Sequence, residues 1–199
     1  NYSKYKLPQE KLIQEYIKMG VDIISFSGDK LIGGPQSGII CGKEKFIKKI
    51  HSNSMYRAVR CDKITISLME TILKTYLDKD IITKNNLSFQ LLSRTKEKLE
   101  RIGKSLLSKI DKKIISNYNI QLVNSYVQAG SGSLPIQNIE SMALSFNSKL
   151  IKPTEISLIL RKSNIPILGY IKGNKFYIDL KAITKDQIKH LINSINNLK

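Results

Sequence analysis

The sequence predicts an α/β protein in two parts, residues 1–110 in a larger domain and residues 111–199 in a small α+β domain. Two observations predict it. The apolar run Val21-Asp22-Ile23-Ile24-Ser25-Phe26 has the β-branched and aromatic composition of a buried strand, and it sits among segments of helical spacing. After Asp111 the rhythm changes to short strand-like runs, turn pairs and two brief helical patterns. A chain of 199 residues is long enough to bury a core for one large domain, or for one and a half small ones.

The elements follow in order. Pro8 is placed to open a helix, with Leu12, Ile13, Tyr16 and Ile17 at helical spacing until Gly20 stops it. The strand over 21–26 leads through a glycine-bearing loop to a second short strand, Ile39-Ile40-Cys41. A helix over 43–50 carries the most basic stretch, Lys43, Lys45, Lys48 and Lys49, which reads as a solvated face. Asp62 is placed as the N-cap of a helix with Ile64, Leu68 and Ile72 on one face. Residues 85–110 read as one long helix through Leu87, Leu91, Leu92, Leu99, Ile102 and Leu106, with Gly103 its weak point. Residues 120–123 and 142–146 read as strands either side of a glycine-rich loop, and Pro153 opens a helix through Leu160. Residues 167–171 and 175–180 form a hairpin around Gly173-Asn174, and Thr184-Lys185-Asp186-Gln187 is a capping box for the terminal helix.

Composition narrows the classes. No apolar run approaches the length of a membrane span, and no signal-peptide layout opens the chain. Cys41 and Cys61 lack metal-ligand spacing, so reduced thiols in the cytoplasm are expected. Cys61 beside Arg60 suits either a reactive thiol or a small filler. His51 and His190 lie in lysine-rich polar contexts with no partner that suggests a triad or a metal site. The net charge of +17 and pI near 9.8 imply attraction to polyanions. Only five of the 33 basic residues are arginine, and lysines mostly touch phosphates, so the charge reads as nonspecific electrostatic help.

The chemistry concentrates in Ser27-Gly28-Asp29-Lys30-Leu31-Ile32-Gly33-Gly34-Pro35-Gln36-Ser37-Gly38, which carries four glycines. Lys30 is delivered onto a tight turn at a strand end, with little side-chain bulk around it. A lysine that is fixed, approachable and partly desolvated suits a Schiff base with pyridoxal phosphate. The same spacing also serves a solvated lysine or one that touches an anion. Ser131 and Ser133 serve equally as caps or turn residues.

Phe26 to Ile40 resembles the cofactor-lysine segment of bacterial selenocysteine synthases, the L-seryl-tRNA(Sec) selenium transferases. Met55-Tyr56-Arg57-Ala58-Val59-Arg60-Cys61-Asp62-Lys63 is similar to that family's Arg-Ala-x-Arg-x-Asp-Lys run. Gly130-Ser131-Gly132-Ser133-Leu134-Pro135 resembles its glycine-rich Ser-Leu-Pro segment. Ile165-Pro166-Ile167-Leu168-Gly169 and Phe176-Tyr177-Ile178-Asp179-Leu180 resemble its C-terminal hairpin. The resemblance covers nearly the whole chain. It implies a fold-type I pyridoxal 5'-phosphate enzyme, with residues 1–110 the C-terminal part of the large, cofactor-binding domain including a bridging helix.

The resemblance further implies Lys30 as the catalytic lysine, with Asp29, Gly33 and Gly34 beside the cofactor. Arg57 and Arg60 are implied as ligands of the selenophosphate anion, because guanidinium forks bind such oxygens in pairs. On a helical turn the two arginines would converge; in an extended segment they would splay apart. Without the family, an exposed pair bridged to Asp62 or Glu70 explains them. The implied reaction converts seryl-tRNA(Sec) to selenocysteinyl-tRNA(Sec) through an aminoacrylyl intermediate, in a cytoplasmic homo-oligomer built from dimers. Residue 1 is Asn and 29 residues precede Lys30, so the cofactor's phosphate loop and ring partners are expected in an upstream half, without which the chain is inactive. Gln36 with Gly33 and Gly34 allows close backbone approach to a neighbouring subunit's cofactor phosphate. Two positions depart from the family: Tyr170 and Lys181 stand where arginine is usual. The rival functions are a related lyase acting on a small amino acid, and a non-catalytic tRNA-binding fragment.

Overall fold

The computed structural model describes residues 7, 11–128 and 138–198. Helices and strands are mixed, in an α/β fold, and the described residues separate into two compact units. Of the described residues, the first takes those up to 93 together with Gln128, and the second comprises residues 94–127 and 138–198.

In the first unit, α1 (Ile13–Lys18) ends where Gly20 adopts φ +92°. Pro8 lies outside the described residues. β1 (Ile23–Ser27) pairs antiparallel with β2 (Gly38–Gly42), Ile23 opposite Gly42 and Ser27 opposite Gly38, so residues 28–37 form the loop of a hairpin. Then follow α2 (Glu44–Ser52), α3 (Ser54–Val59), α4 (Lys63–Thr75), α5 (Lys79–Asn85) and α6 (Leu87–Leu92). Asp62 caps α4 as expected, its Oδ1 accepting the Thr65 N–H at 2.9 Å. The face chosen from the sequence is nevertheless exposed: Ile64 is 73% and Leu68 51% accessible, while α4 buries Met69 instead. Lys43 and Lys48 pair with Asp22 and Glu44, both at 2.6 Å on the surface.

The single long helix expected over 85–110 is two helices, α6 and α7 (Lys96–Leu107). The break falls at Thr95, whose hydroxyl accepts the Lys98 N–H, and not at Gly103. Gly103 lies inside α7 where the helix meets the sheet. A Cβ there would stand 2.4 Å from Leu122 and 3.1 Å from Leu180. Because α7 packs on this sheet, the second unit begins at Arg94, ahead of the boundary expected near Asp111.

The second unit continues with α8 (Lys112–Tyr118), β3 (Gln121–Val127), β4 (Ile139–Phe146), α9 (Pro153–Arg161), β5 (Tyr170–Lys172), β6 (Lys175–Asp179) and α10 (Gln187–Asn196). The four strands form one antiparallel sheet in the order β3-β4-β6-β5. Pro153 occupies the first turn of α9, and Glu155 accepts the Lys152 N–H at 2.9 Å. Gly173 and Asn174 take φ +54° and +58°, the paired positive values that a two-residue hairpin turn needs. Gln187 reaches back to the Thr184 N–H as the capping box requires, but a turn intervenes and α10 starts at Gln187. One core joins Leu144, Phe146, Phe176 and Ile178 of the sheet to Leu99 of α7, Leu160 of α9 and Ile195 of α10.

Candidate functional site

The lysine loop is built by its backbone. Its ends are tied by the Gly28 N–H donating to Ser37 O at 2.9 Å, and Gly34 N–H donates back to Gly28 O at 2.9 Å. Between them Gly33 N–H donates to Lys30 O at 3.0 Å, closing a turn that begins at the lysine. Gly33 has φ +76°, a left-handed conformation that glycine adopts without strain. A Cβ on Gly28 would stand 2.2 Å from Met69 Cε, and one on Gly34 2.8 Å from the same atom. Both glycines thus lie against the flexible end of the Met69 side chain of α4, which a larger residue would have to displace. Lys30 and Asp29 are exposed on this turn.

Two side chains hold the loop from the helices. The Tyr76 hydroxyl lies 3.1 Å from Leu31 O and 2.9 Å from Ile32 O. Asn86 Nδ2 donates to Ile32 O at 2.8 Å, while its Oδ1 accepts the Phe89 N–H at 2.9 Å and so caps α6. Asn86 is 1% exposed. Sequence reasoning missed Tyr76, Asn86 and Met69. Only Asn86 carried a signal, as an Asn directly before the helical run Leu-Ser-Phe.

Beside the loop, α3 and α4 wall a groove of about 1500 Å³. Arg57 in the last turn of α3 and Arg60 just beyond it, where the backbone has turned extended, both line it. Neither arginine has a carboxylate within ion-pair distance among the described residues. The carboxylates that would have explained them are engaged elsewhere: Asp62 caps α4, and Glu70 pairs with Lys74 at 2.7 Å. The Thr65 backbone N–H, and then its hydroxyl, hold the Asp62 carboxyl below the usual carboxylate value. Lys49 and Lys63 add to the groove's positive wall. Its described lining includes Ser37 and Gly38 from the end of the lysine loop, but not Lys30 or Asp29. Met69 belongs to both, lining the groove and packing under Gly28 and Gly34.

Other expectations find their places. His51 packs its ring 4.8 Å from that of Tyr56, and His190 is exposed. Cys41 and Cys61 are free thiols, and no cluster of metal-ligating side chains occurs among the described residues. The segment 130–135, with Ser131 and Ser133, lies outside the described residues. Tyr170 stacks on Tyr177 with ring centres 5.2 Å apart, and its hydroxyl is 3.2 Å from Ser125 Oγ. Lys181 is buried, its Nζ donating to Arg94 O at 2.9 Å, and burial pushes its ammonium below the ordinary lysine value. Both departures from the family arginines are thus absorbed into local packing. No helix among the described residues is long and apolar enough to cross a membrane.

Residues 1–184 match the family model described as "SelA: L-seryl-tRNA selenium transferase". The chain belongs to the L-seryl-tRNA selenium transferase family. Curated L-seryl-tRNA(Sec) selenium transferases resemble it at moderate identity. That of Mannheimia succiniciproducens is 37% identical over 183 residues, covering 92% of this chain and 39% of that protein. Those of Alkaliphilus oremlandii and Haemophilus influenzae are 35% and 34% identical, each covering 98% of this chain and 42% of the relative. The chain therefore spans about two-fifths of the length of the selenium transferases it matches. A solved structure from a study of Plasmodium falciparum ornithine delta-aminotransferase covers 91% of this chain and 41% of that one, at 14% identity and a TM-score of 0.36, too distant to bear on the fold. The lysine loop and the arginine groove both lie inside the stretch that the selenium transferase family model matches.

Proposed function

We propose that the chain is the lysine-bearing portion of an L-seryl-tRNA(Sec) selenium transferase, which uses pyridoxal 5'-phosphate and selenophosphate to convert seryl-tRNA(Sec) to selenocysteinyl-tRNA(Sec). The observation that carries this reading is the setting of Lys30 in a chain of this family. Lys30 is exposed on a turn whose next two carbonyls are held by Tyr76 and Asn86. The residues fit the covalent end of the cofactor in two of the three respects expected: Lys30 is approachable and its turn is held in place, whereas the expected partial desolvation is not met in this stretch of chain, where Lys30 is exposed. When bound, the cofactor supplies an aldehyde for that amine and an electron sink for charge developing at the serine Cα.

The chain's own residues then divide the work. Lys30 would hold the cofactor and, as a free amine, would take the proton from the serine Cα. Asp29, exposed next to it, orients the amine. Gly33 and Gly34 offer only backbone to an approaching cofactor phosphate. Arg57 and Arg60, free of carboxylate partners and lining the same groove, bind the oxygens of selenophosphate through paired hydrogen bonds. The enzyme works in the cytoplasm as a homo-oligomer built from dimers. Exposed apolar side chains of the first unit, among them Ile64, Ile66 and Leu68 of α4, are open to contact by another subunit or by the rest of the full-length chain.

Borohydride reduction of the full-length protein from its native source, followed by peptide mapping, tests the central assignment. A pyridoxyl adduct on Lys30 is expected. An unmodified Lys30 overturns the reading and leaves an anion-binding scaffold in its place.

A further inference from the structure

We propose that Asn86 and Tyr76 are positioning residues for Lys30, acting through the two peptide carbonyls that follow it. The proposal rests on the reading of Lys30 as the cofactor lysine. In the turn that begins at Lys30, the lysine's own carbonyl is taken by the Gly33 N–H. The next two carbonyls, of Leu31 and Ile32, are held by side chains more than forty residues away in sequence. Tyr76 stands at the C-terminal end of α4, and Asn86 at the N-terminal end of α6. The loop is thereby fastened to the ends of two helices, and the direction in which Lys30 leaves the backbone is set by them.

Asn86 is matched to this task atom by atom. It is buried, so both ends of its amide must be satisfied, and each has a different partner. Its donor end holds the loop and its acceptor end holds α6. Aspartate at this position would keep the acceptor for Phe89 but place a second oxygen against the Ile32 carbonyl. Tyr76→Phe would remove the hydroxyl alone and keep the ring. The two variants release the same loop by different chemistry, one with a buried charge and one without, so a folding failure of the first leaves the second to decide.

The test uses the full-length holoenzyme and the variants N86D and Y76F. Borohydride trapping on Lys30 in the unmutated protein is recorded first, then the pH titration of the absorption band of the lysine-bound cofactor. Each folded variant is expected to move the titration midpoint by about half a pH unit or more, roughly threefold in proton affinity. In the cofactor-free full-length protein, acetic anhydride labelling of Lys30 relative to the other lysines is expected to change by about threefold as well, because the turn opens more often. A lowered melting temperature with unmoved midpoint and labelling overturns the proposal, since it marks a role in stability alone. No adduct on Lys30 in the unmutated protein fails the cofactor assignment itself; an adduct with unchanged variants fails only the positioning role.

Discussion

A methyl group added at Gly103 would stand 2.4 Å from one Cδ of Leu122, 2.8 Å from the other and 3.1 Å from Leu180. Alanine is favoured over glycine in a helix by about 1 kcal/mol, whereas overpacking a core costs about 1–3 kcal/mol. The second effect is the larger here, because Leu180 is fully buried and has nowhere to retreat. Gly103→Ala is therefore expected to lower the melting temperature, with a net loss of about 1 kcal/mol in thermal denaturation of the full-length protein. A stabilised variant would show that Leu122 yields and that helix propensity decides. At the same scale, Asp62 was legible as a cap because an aspartate before an apolar run has one common use. Tyr76 was not, since nothing local distinguishes a tyrosine that reaches the Leu31 and Ile32 carbonyls from any other.

Among the elements, the strands and the hairpin of the second unit were legible, as were α4 and α9, because their caps, turns and periodicities agree. α3, α5 and α8 were not picked out, being six or seven residues each and too short to establish a period. The break between α6 and α7 was missed because leucines continue across Thr95 at helical spacing, while the cap that ends the run is a single hydroxyl. α4 gives the sharper lesson. Its cap and period are right, yet Ile64 and Leu68 are exposed, whereas Leu144 in β4 is wholly buried. Periodicity reports that a face is apolar and says nothing of what covers it. Two substitutions separate the cases. Leu144→Ala is expected to lower stability by about 2–5 kcal/mol without altering the size of the assembled protein. If the proposed homo-oligomer uses the exposed face of α4, Ile64→Asp is expected to shift sedimentation of the full-length protein towards smaller species; an unchanged mass would show that no subunit contact depends on this face.

At the scale of the whole molecule, charge is the dominant property. The net charge of +17 survives the ion pairs, since each of these cancels one cation with one anion. With five arginines among 33 basic residues, the proposed attraction to tRNA would rest mostly on lysine, which meets phosphates as a point charge and reads little sequence. tRNA binding by the full-length protein is thus expected to weaken by about tenfold or more between roughly 50 and 200 mM salt. Fluorescence anisotropy with seryl-tRNA(Sec) and an unrelated tRNA would check it, and both should lose affinity in similar proportion. A salt-insensitive preference for seryl-tRNA(Sec) would place the recognition in shape or base contacts.

The turn at Gly173-Asn174 reaches further than its two residues. Because both adopt positive φ, the hairpin closes in one register only, and residue 170 always lies opposite residue 177. Tyr170 owes its stacked partner to that geometry. The two positions therefore act as one structural unit: a change at 170 meets the ring at 177, and a single inserted residue in the turn would re-pair the ribbon, bringing the core residue Phe176 opposite the tyrosine.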